Sequence, residues 1–224
     1  MAREQYPQDV YLSPPFAIER FLGLRQKHGD KAAVTKSEYK PEREAWITGV
    51  FLLGLSKIAK KEFWLRVNTE DSAPDIFTIS FVETDRGVTA EMQNVEVFEY
   101  ENHSHTDIVG AIENKLKGKV YPDNYILLCY VHDRKGEIIN TKEIYERVKV
   151  LNLKIAEVWV LANTLTPTNA EHVIFQVFPT ANGCKFDYLE ECNNSKQKDM
   201  INAKRGSAKK LEFMPMGKAI LRLP

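Results

Sequence analysis

Residues 74–98 read PDIFTISFVETDRGVTAEMQNVEVF. Thr84-Asp85-Arg86-Gly87 is a tight-turn signal, and the residues on either side are rich in the β-branched and aromatic types that favour strands. The stretch predicts a hairpin, with one strand over 75–82 and its partner over 88–100. With the turn centred between Asp85 and Arg86, Phe81 faces Ala90, Ile79 faces Met92, Phe77 faces Asn94, and Asp75 faces Glu96. Directly opposed side chains share one face of the sheet with Cβ atoms about 5 Å apart, so two carboxylates meet at the far end of the ribbon. Adjacent acids repel. A divalent cation resolves the repulsion, and Mg²⁺ takes one or two carboxylates together with waters and phosphate oxygens. One raised pKa with a shared proton is the alternative. A bulge at the turn would slip the register by one residue and set Asp75 against Val95.

Working outward, Pro41 opens a helix to about Lys61, on which Trp46 or Ile47, Val50, Phe51, Gly54 and Ile58 share a face. Residues 63–68 alternate as a short strand before the turn at 71–74. Ser104 to Asp107 fits a helix-start pattern, Ile108, Ile112 and Leu116 carry the apolar stripe, and Gly118 supplies a stop. Tyr125–Val131 is a continuous apolar run, the mark of a strand buried on both faces. A helix over 141–151 and strands over 157–161 and 172–178 follow. Upstream, residues 1–12 read as a loose lead-in, Ser13-Pro14-Pro15 as a helix start for 16–29, and 30–40 as a polar linker. Downstream, 193–210 is polar and partly basic, with lower order expected, and 213–223 reads as a closing strand. A helix crossing between the third strand and the Tyr125 run suggests a mixed sheet with helices on both faces.

The 224 residues fit one large domain, and 43% hydrophobic with 28% charged residues is an ordinary globular balance. With 31 basic against 31 acidic residues, bulk charge gives no argument for nucleic acid but leaves room for a local basic groove. Three cysteines, Cys129, Cys184 and Cys192, form no C-x-x-C pair, which argues against a disulfide framework or zinc cluster and for a reducing compartment. The polar start and the lack of a long apolar run predict no leader and no membrane span. A cytoplasmic chain with no membrane partner is expected.

At Pro74-Asp75 and Val95-Glu96-Val97 the pattern resembles the PD-(D/E)XK, or restriction-endonuclease-like, nuclease superfamily, which sets an Asp, often after Pro, on its second core strand and an E-x-K triplet on its third. The resemblance covers roughly residues 41–132, and the element order carries more of it than the letters do. It implies an α/β fold: a mixed central sheet flanked by helices, with an α-β-β-β-α-β core over 41–180, an N-terminal extension with one helix over 1–40, and a C-terminal extension over 181–224. It also implies a hydrolase, a Mg²⁺- or Mn²⁺-dependent endonuclease acting on phosphodiesters in DNA. Asp75 and Glu96 would be catalytic metal ligands, and Glu44, with Glu42 in reserve, the assisting acid of the first helix. A homodimer is the analogous assembly for cutting two strands.

The lysine of E-x-K is replaced here by Phe98. Some members carry that lysine on the following helix, and Lys115, three residues after Ile112, lies on or beside the sheet-facing stripe. Lys115 is therefore the relocated catalytic lysine of this reading. The plain alternative is that 115, 117 and 119 form a solvated basic end complementing the helix dipole. A second triplet, Glu91-Met92-Gln93, ranks lower because Glu91 faces Ser80. His103 and His105 are metal-capable, and a zinc module centred on them is a separate reading, although a polar strand-to-helix loop explains them equally. Cys129 is expected as a buried thiol rather than a nucleophile. The basic run from Lys204 to Lys210 reads as a solvated loop, and Trp46, Trp64 and Trp159 as core. The main rival is a catalytically inactive protein of the same fold that binds nucleic acid or a protein partner, and Phe98 is its best support.

Overall fold

The Tyr125–Val131 run is the keel of the molecule, because every residue after Tyr125 is buried. A strand covered on both faces needs a layer of helices on each side. The computed structural model describes residues 10–70, 72–85, 87–100, 107–132, 139–164, 170–205 and 211–215. In chain order the elements are β1 (Val10–Leu12), α1 (Pro14–His28), α2 (Asp30–Thr35), a 3₁₀ turn (Ser37–Tyr39), α3 (Lys40–Ala59), β2 (Phe63–Val67), β3 (Ile76–Thr84), β4 (Gly87–Tyr100), α4 (Ile108–Leu116), β5 (Tyr125–Val131) and α5 (Thr141–Lys149). They continue as β6 (Glu157–Asn163), β7 (Glu171–Phe178), β8 (Asn182–Asp187), α6 (Tyr188–Asn194), β9 (Met200–Arg205) and β10 (Leu211–Pro215).

Among the described residues the strands form one sheet in the order β10-β9-β1-β2-β3-β4-β5-β6-β7-β8. The β4–β5 and β5–β6 pairs are parallel, and the other pairs are antiparallel. The protein is thus α/β, with a large mixed sheet flanked by helices. On one face α1 and α3 bury Ala17, Ile18, Phe21, Ile47, Val50 and Phe51 against Val95, Val97, Ile126 and Leu128. On the other, α4 and α5 bury Val109, Ile112, Ile144 and Val148 against Leu127, Cys129, Val158 and Val160.

Several segments differ from the sequence expectation. Residues 10–12, read as lead-in, form β1, which lies between β2 and β9. Residues 30–35 of the expected linker form α2, anchored by the buried Ala33. Residues 200–205, within the stretch expected to be poorly ordered, pair with β1 as β9. Residues 182–194 supply β8 and α6, neither of which the sequence pattern predicts. The closing strand is β10, over Leu211–Pro215, and residues 216–224 lie outside the described ones.

Helix α3 is buried continuously from Glu44 to Gly54, held between α1 and the sheet. Its end packs so closely that a Cβ on Gly54 would lie 2.6 Å from Phe186 Cε1 and 2.8 Å from Ile174 Cδ1. Gly54→Val is expected to cost about 1–3 kcal/mol through overpacking. The measurement is a urea unfolding midpoint at unchanged slope. An unchanged midpoint would mean that β7 and β8 yield to the helix without cost.

Candidate functional site

The β3–β4 ribbon has the register expected from its turn: Phe81 pairs with Ala90, Ile79 with Met92, Phe77 with Asn94 and Ile76 with Val95. Asp75 lies one residue beyond the last pair of the ladder, and Glu96 adjoins Val95 on the other strand. At this point the two strands part. β3 begins at Ile76, whereas β4 runs on to Tyr100 alongside β5. The edge of β4 beyond Glu96 therefore lacks its β3 neighbour, and backbone N–H groups inside a protein need acceptors. Asp75 supplies one, its Oδ2 accepting from Val97 N at 2.8 Å. The approach to Asp75 is held by Asn68, whose backbone N–H donates to Asp75 O at 2.9 Å and whose side-chain amide donates to Pro74 O at 2.8 Å.

Four more side chains converge on this notch from other elements. Glu44, on the first turns of α3, is 6% exposed, and Glu96 is 8% exposed. Lys40, the first residue of α3, places Nζ 3.1 Å from Glu44 Oε1 and 3.9 Å from Asp75 Oδ1. Lys115, in the last turn of α4, places Nζ 2.9 Å from Glu96 Oε1. Tyr121 belongs to the same neighbourhood. Burial, followed by the Glu96 carboxylate, raises its phenol above the ordinary value. Among the described residues, neither Glu96 Oε2 nor Tyr121 Oη has a hydrogen-bond partner, although both atoms are buried.

The acids respond to one another. Burial, then the Asp75 carboxylate, pushes Glu44 up to about 7 against the pull of Lys40. Burial also raises Asp75, with Glu96 adding to the effect, while the Val97 N–H and the two lysines oppose it. A carboxyl group near neutrality in a dry notch is the kind of perturbation that collects at functional sites, and structural ion-pair networks produce it too.

A second cluster lies on the opposite face of β4. Glu99 accepts from Arg43 Nε at 2.8 Å and meets His132 Nε2 at 2.7 Å. Burial works to raise Glu99, but the His132 hydrogen bond and Arg43 outweigh it and hold the carboxyl below its usual range.

The residues singled out from the sequence fall into distinct groups. Asp75, Glu96, Glu44 and Lys115 come together in the notch. Phe98, at the usual lysine position, packs with the α4–α5 core. Glu42 lies about half a turn around α3 from Glu44. Glu91 pairs with Ser80 on the ribbon and forms an ion pair with Lys61, away from Asp75. Cys129 is fully buried, with its thiol pushed up by that burial. Trp46, Trp64 and Trp159 are core residues. His103, His105 and residues 206–210 lie outside the described residues. Sequence reasoning missed Lys40, although its spacing of four from Glu44 was visible. It also missed the Arg43–Glu99–His132 cluster, which only the parallel β4–β5 pairing assembles. Among the described residues, no group of three or more His, Cys, Asp or Glu side chains is gathered so as to hold a metal ion.

Two stability predictions follow from this geometry. Asp75→Ala strands a buried N–H and should cost about 1–3 kcal/mol, whereas Asp75→Asn keeps an acceptor and should cost less. Equal losses in chemical denaturation would show that the Val97 hydrogen bond does not matter. For Glu44, the folded value of about 7 lies above the ordinary 4.5. The unfolded chain gives up this proton at lower pH, so the group penalises folding increasingly as pH rises from 4.5, and fully above about 7. Asp75, Lys40 and Glu99 are the charged groups facing it. Glu44→Gln should therefore stabilise the protein by about 1–3 kcal/mol at pH 8, with the gain fading toward pH 4.5. A pH-independent difference between the two proteins in thermal melts would contradict this.

Comparison with protein-family models, with curated proteins and with solved structures finds no match, so the chemistry of the notch itself carries the functional assignment.

Proposed function

We propose that this chain is a divalent-cation-dependent nuclease that hydrolyses phosphodiesters in DNA, with Asp75 and Glu96 holding the cation, Glu44 assisting and Lys115 acting on the substrate. The observation that carries the reading is the arrival of Lys115 on Glu96 from α4. It supplies an ammonium group beside the second acid, where Phe98 cannot. The residues fit Mg²⁺ or Mn²⁺ as a pair of carboxylates, which is a usual protein share for Mg²⁺. The buried Glu96 Oε2, without a hydrogen-bond partner among the described residues, is the acceptor such an ion would satisfy. A cation bound there supplies Lewis-acid polarisation of a phosphate oxygen and lowers the pKa of water.

The remaining chemistry belongs to the chain. Asp75, fixed through Oδ2 by Val97, keeps Oδ1 facing the notch. Lys115, on a flexible stem, can shift from Glu96 to the phosphate and stabilise the charge that develops on its oxygens. Glu44, close to half-protonated at neutral pH, can hold a proton beside the reacting group or release it.

A second reading has an observation in its favour. Every acid of the notch already has an internal partner: Asp75 has Val97 and Lys40, Glu96 has Lys115, and Glu44 has Lys40. A catalytically silent protein that binds nucleic acid or a protein partner would be stable with this arrangement.

Incubation with plasmid and with single-stranded DNA, in Mg²⁺ or Mn²⁺, separates the readings. Cleavage by the wild type should fall at least about a hundredfold in Asp75→Asn, Glu96→Gln and Lys115→Met, the scale on which loss of electrostatic stabilisation is felt. Cleavage that survives Asp75→Asn and Glu96→Gln sinks the assigned site. DNA binding without cleavage supports the silent protein.

A further inference from the structure

Lys40 stands where the helix it begins gives it no support. The N-terminus of α3 carries the positive end of the helix dipole, where a cation is unfavourable by about 0.3–1 kcal/mol. A lysine placed four residues before a glutamate is also the poorer order for a helical ion pair. The acids account for its position: Lys40 forms ion pairs with two of them, Glu44 at 3.1 Å and Asp75 at 3.9 Å. Glu44 is buried and cannot follow a moving partner, whereas the Lys40 side chain is 55% exposed and can swing into water. An ammonium on a four-carbon stem is a point charge that exchanges partners readily.

We propose that Lys40 is a reserve cation: in the ion-free protein it neutralises Glu44 and Asp75, and when a divalent cation enters beside Asp75 and Glu96 it is released to grip a backbone phosphate of the nucleic acid. This rests on the nuclease reading above and names a substrate-binding residue for the same site. With Glu44 close to half-protonated at neutral pH, the three carboxylates and two lysines leave the notch between neutral and one negative charge, and a divalent ion makes it positive. The ammonium is then repelled from the acids. It is released at the start of a helix whose N-cap, Tyr39, makes no side-chain hydrogen bond to the first turn. The positive end of the helix dipole there favours an anion. No covalent step is involved, only an exchange of ionic partners.

The test compares the full-length wild type with Lys40→Met and Lys40→Arg. Calorimetric Mn²⁺ titration should show Lys40→Met binding the ion about three- to tenfold tighter, since a competing ammonium worth about 1 kcal/mol is gone. Fluorescence anisotropy with a short labelled duplex in Ca²⁺ should show about five- to tenfold weaker binding by Lys40→Met. The salt dependence should fall by about one counterion. Without a divalent ion, wild type and Lys40→Met should bind the duplex equally, and Lys40→Arg should preserve duplex binding in Ca²⁺. Unchanged Mn²⁺ affinity in Lys40→Met overturns the exchange, and so does a loss of duplex binding that is the same with and without Ca²⁺. If the wild type shows no Mn²⁺ binding that Asp75→Asn removes, the nuclease reading fails first and this inference with it. If wild-type Mn²⁺ binding is lost in Asp75→Asn but untouched in Lys40→Met, only the inference fails.

Discussion

Three carboxylates and two ammonium groups share the notch where β3 leaves β4, and their mutual neutralisation is the constraint that the surrounding structure has to meet. Charges taken out of water cost several kcal/mol each unless they are paired in good geometry. The notch therefore draws in partners from three directions: α3 brings Glu44 with Lys40, the ribbon brings Asp75 and Glu96, and α4 brings Lys115. If a lysine is removed, the buried carboxylate it faces, Glu44 or Glu96, loses its ion-pair partner. Clusters of this kind are an inefficient source of stability, since well-packed apolar side chains often serve as well or better.

The notch exists because of sheet topology. β4 changes partner along its length. Its first part pairs with β3 in antiparallel fashion and its last part with β5 in parallel, the two overlapping only at Asn94 and Val95. A parallel neighbour requires a crossover, which is α4, and this crossover is what returns Lys115 to the strand that precedes it. The same parting exposes the Val97 N–H that fixes Asp75. Backbone satisfaction and acid placement are thus one arrangement: the hydrogen bond that closes the strand edge also aims the carboxylate.

The parts of this arrangement that depend on local pattern were legible in the sequence. The turn signal over residues 84–87 predicts the ribbon register, which the pairing of Phe81 with Ala90, Ile79 with Met92 and Phe77 with Asn94 matches. The apolar run of β5 marked the central strand, and the Ile108–Ile112 stripe gave Lys115 its direction. Other features depend on contacts between distant segments and left no periodic trace. β8 and β9 are six residues each and close to the sheet margins, with too few apolar positions, Cys184 and Phe186 in one and Met200 and Ile201 in the other, to give a clear alternating pattern. α2 carries one buried alanine. Lys40 acquires meaning only when α3 lies against the start of β3, and His132 only when β5 runs parallel to β4 and carries it to Glu99.

The strand β1 has a consequence for how such a chain is made. It is three residues long, and its neighbours are β2 and β9, with Tyr11 against Ile201 and Ser13 N donating to Asp199 O at 2.8 Å. The segment that starts α1 therefore pairs with a strand that follows much later in the sequence, β9 over Met200–Arg205. Until that strand has formed, Tyr11 and Leu12 have β2 and the core residues beside it as shelter, and the two strands beyond β1, β9 and β10, are not yet in place. The nascent protein passes through a stage in which the acid notch can already form but its flank is open, and the final clasp closes only after nearly all of this sequence has emerged.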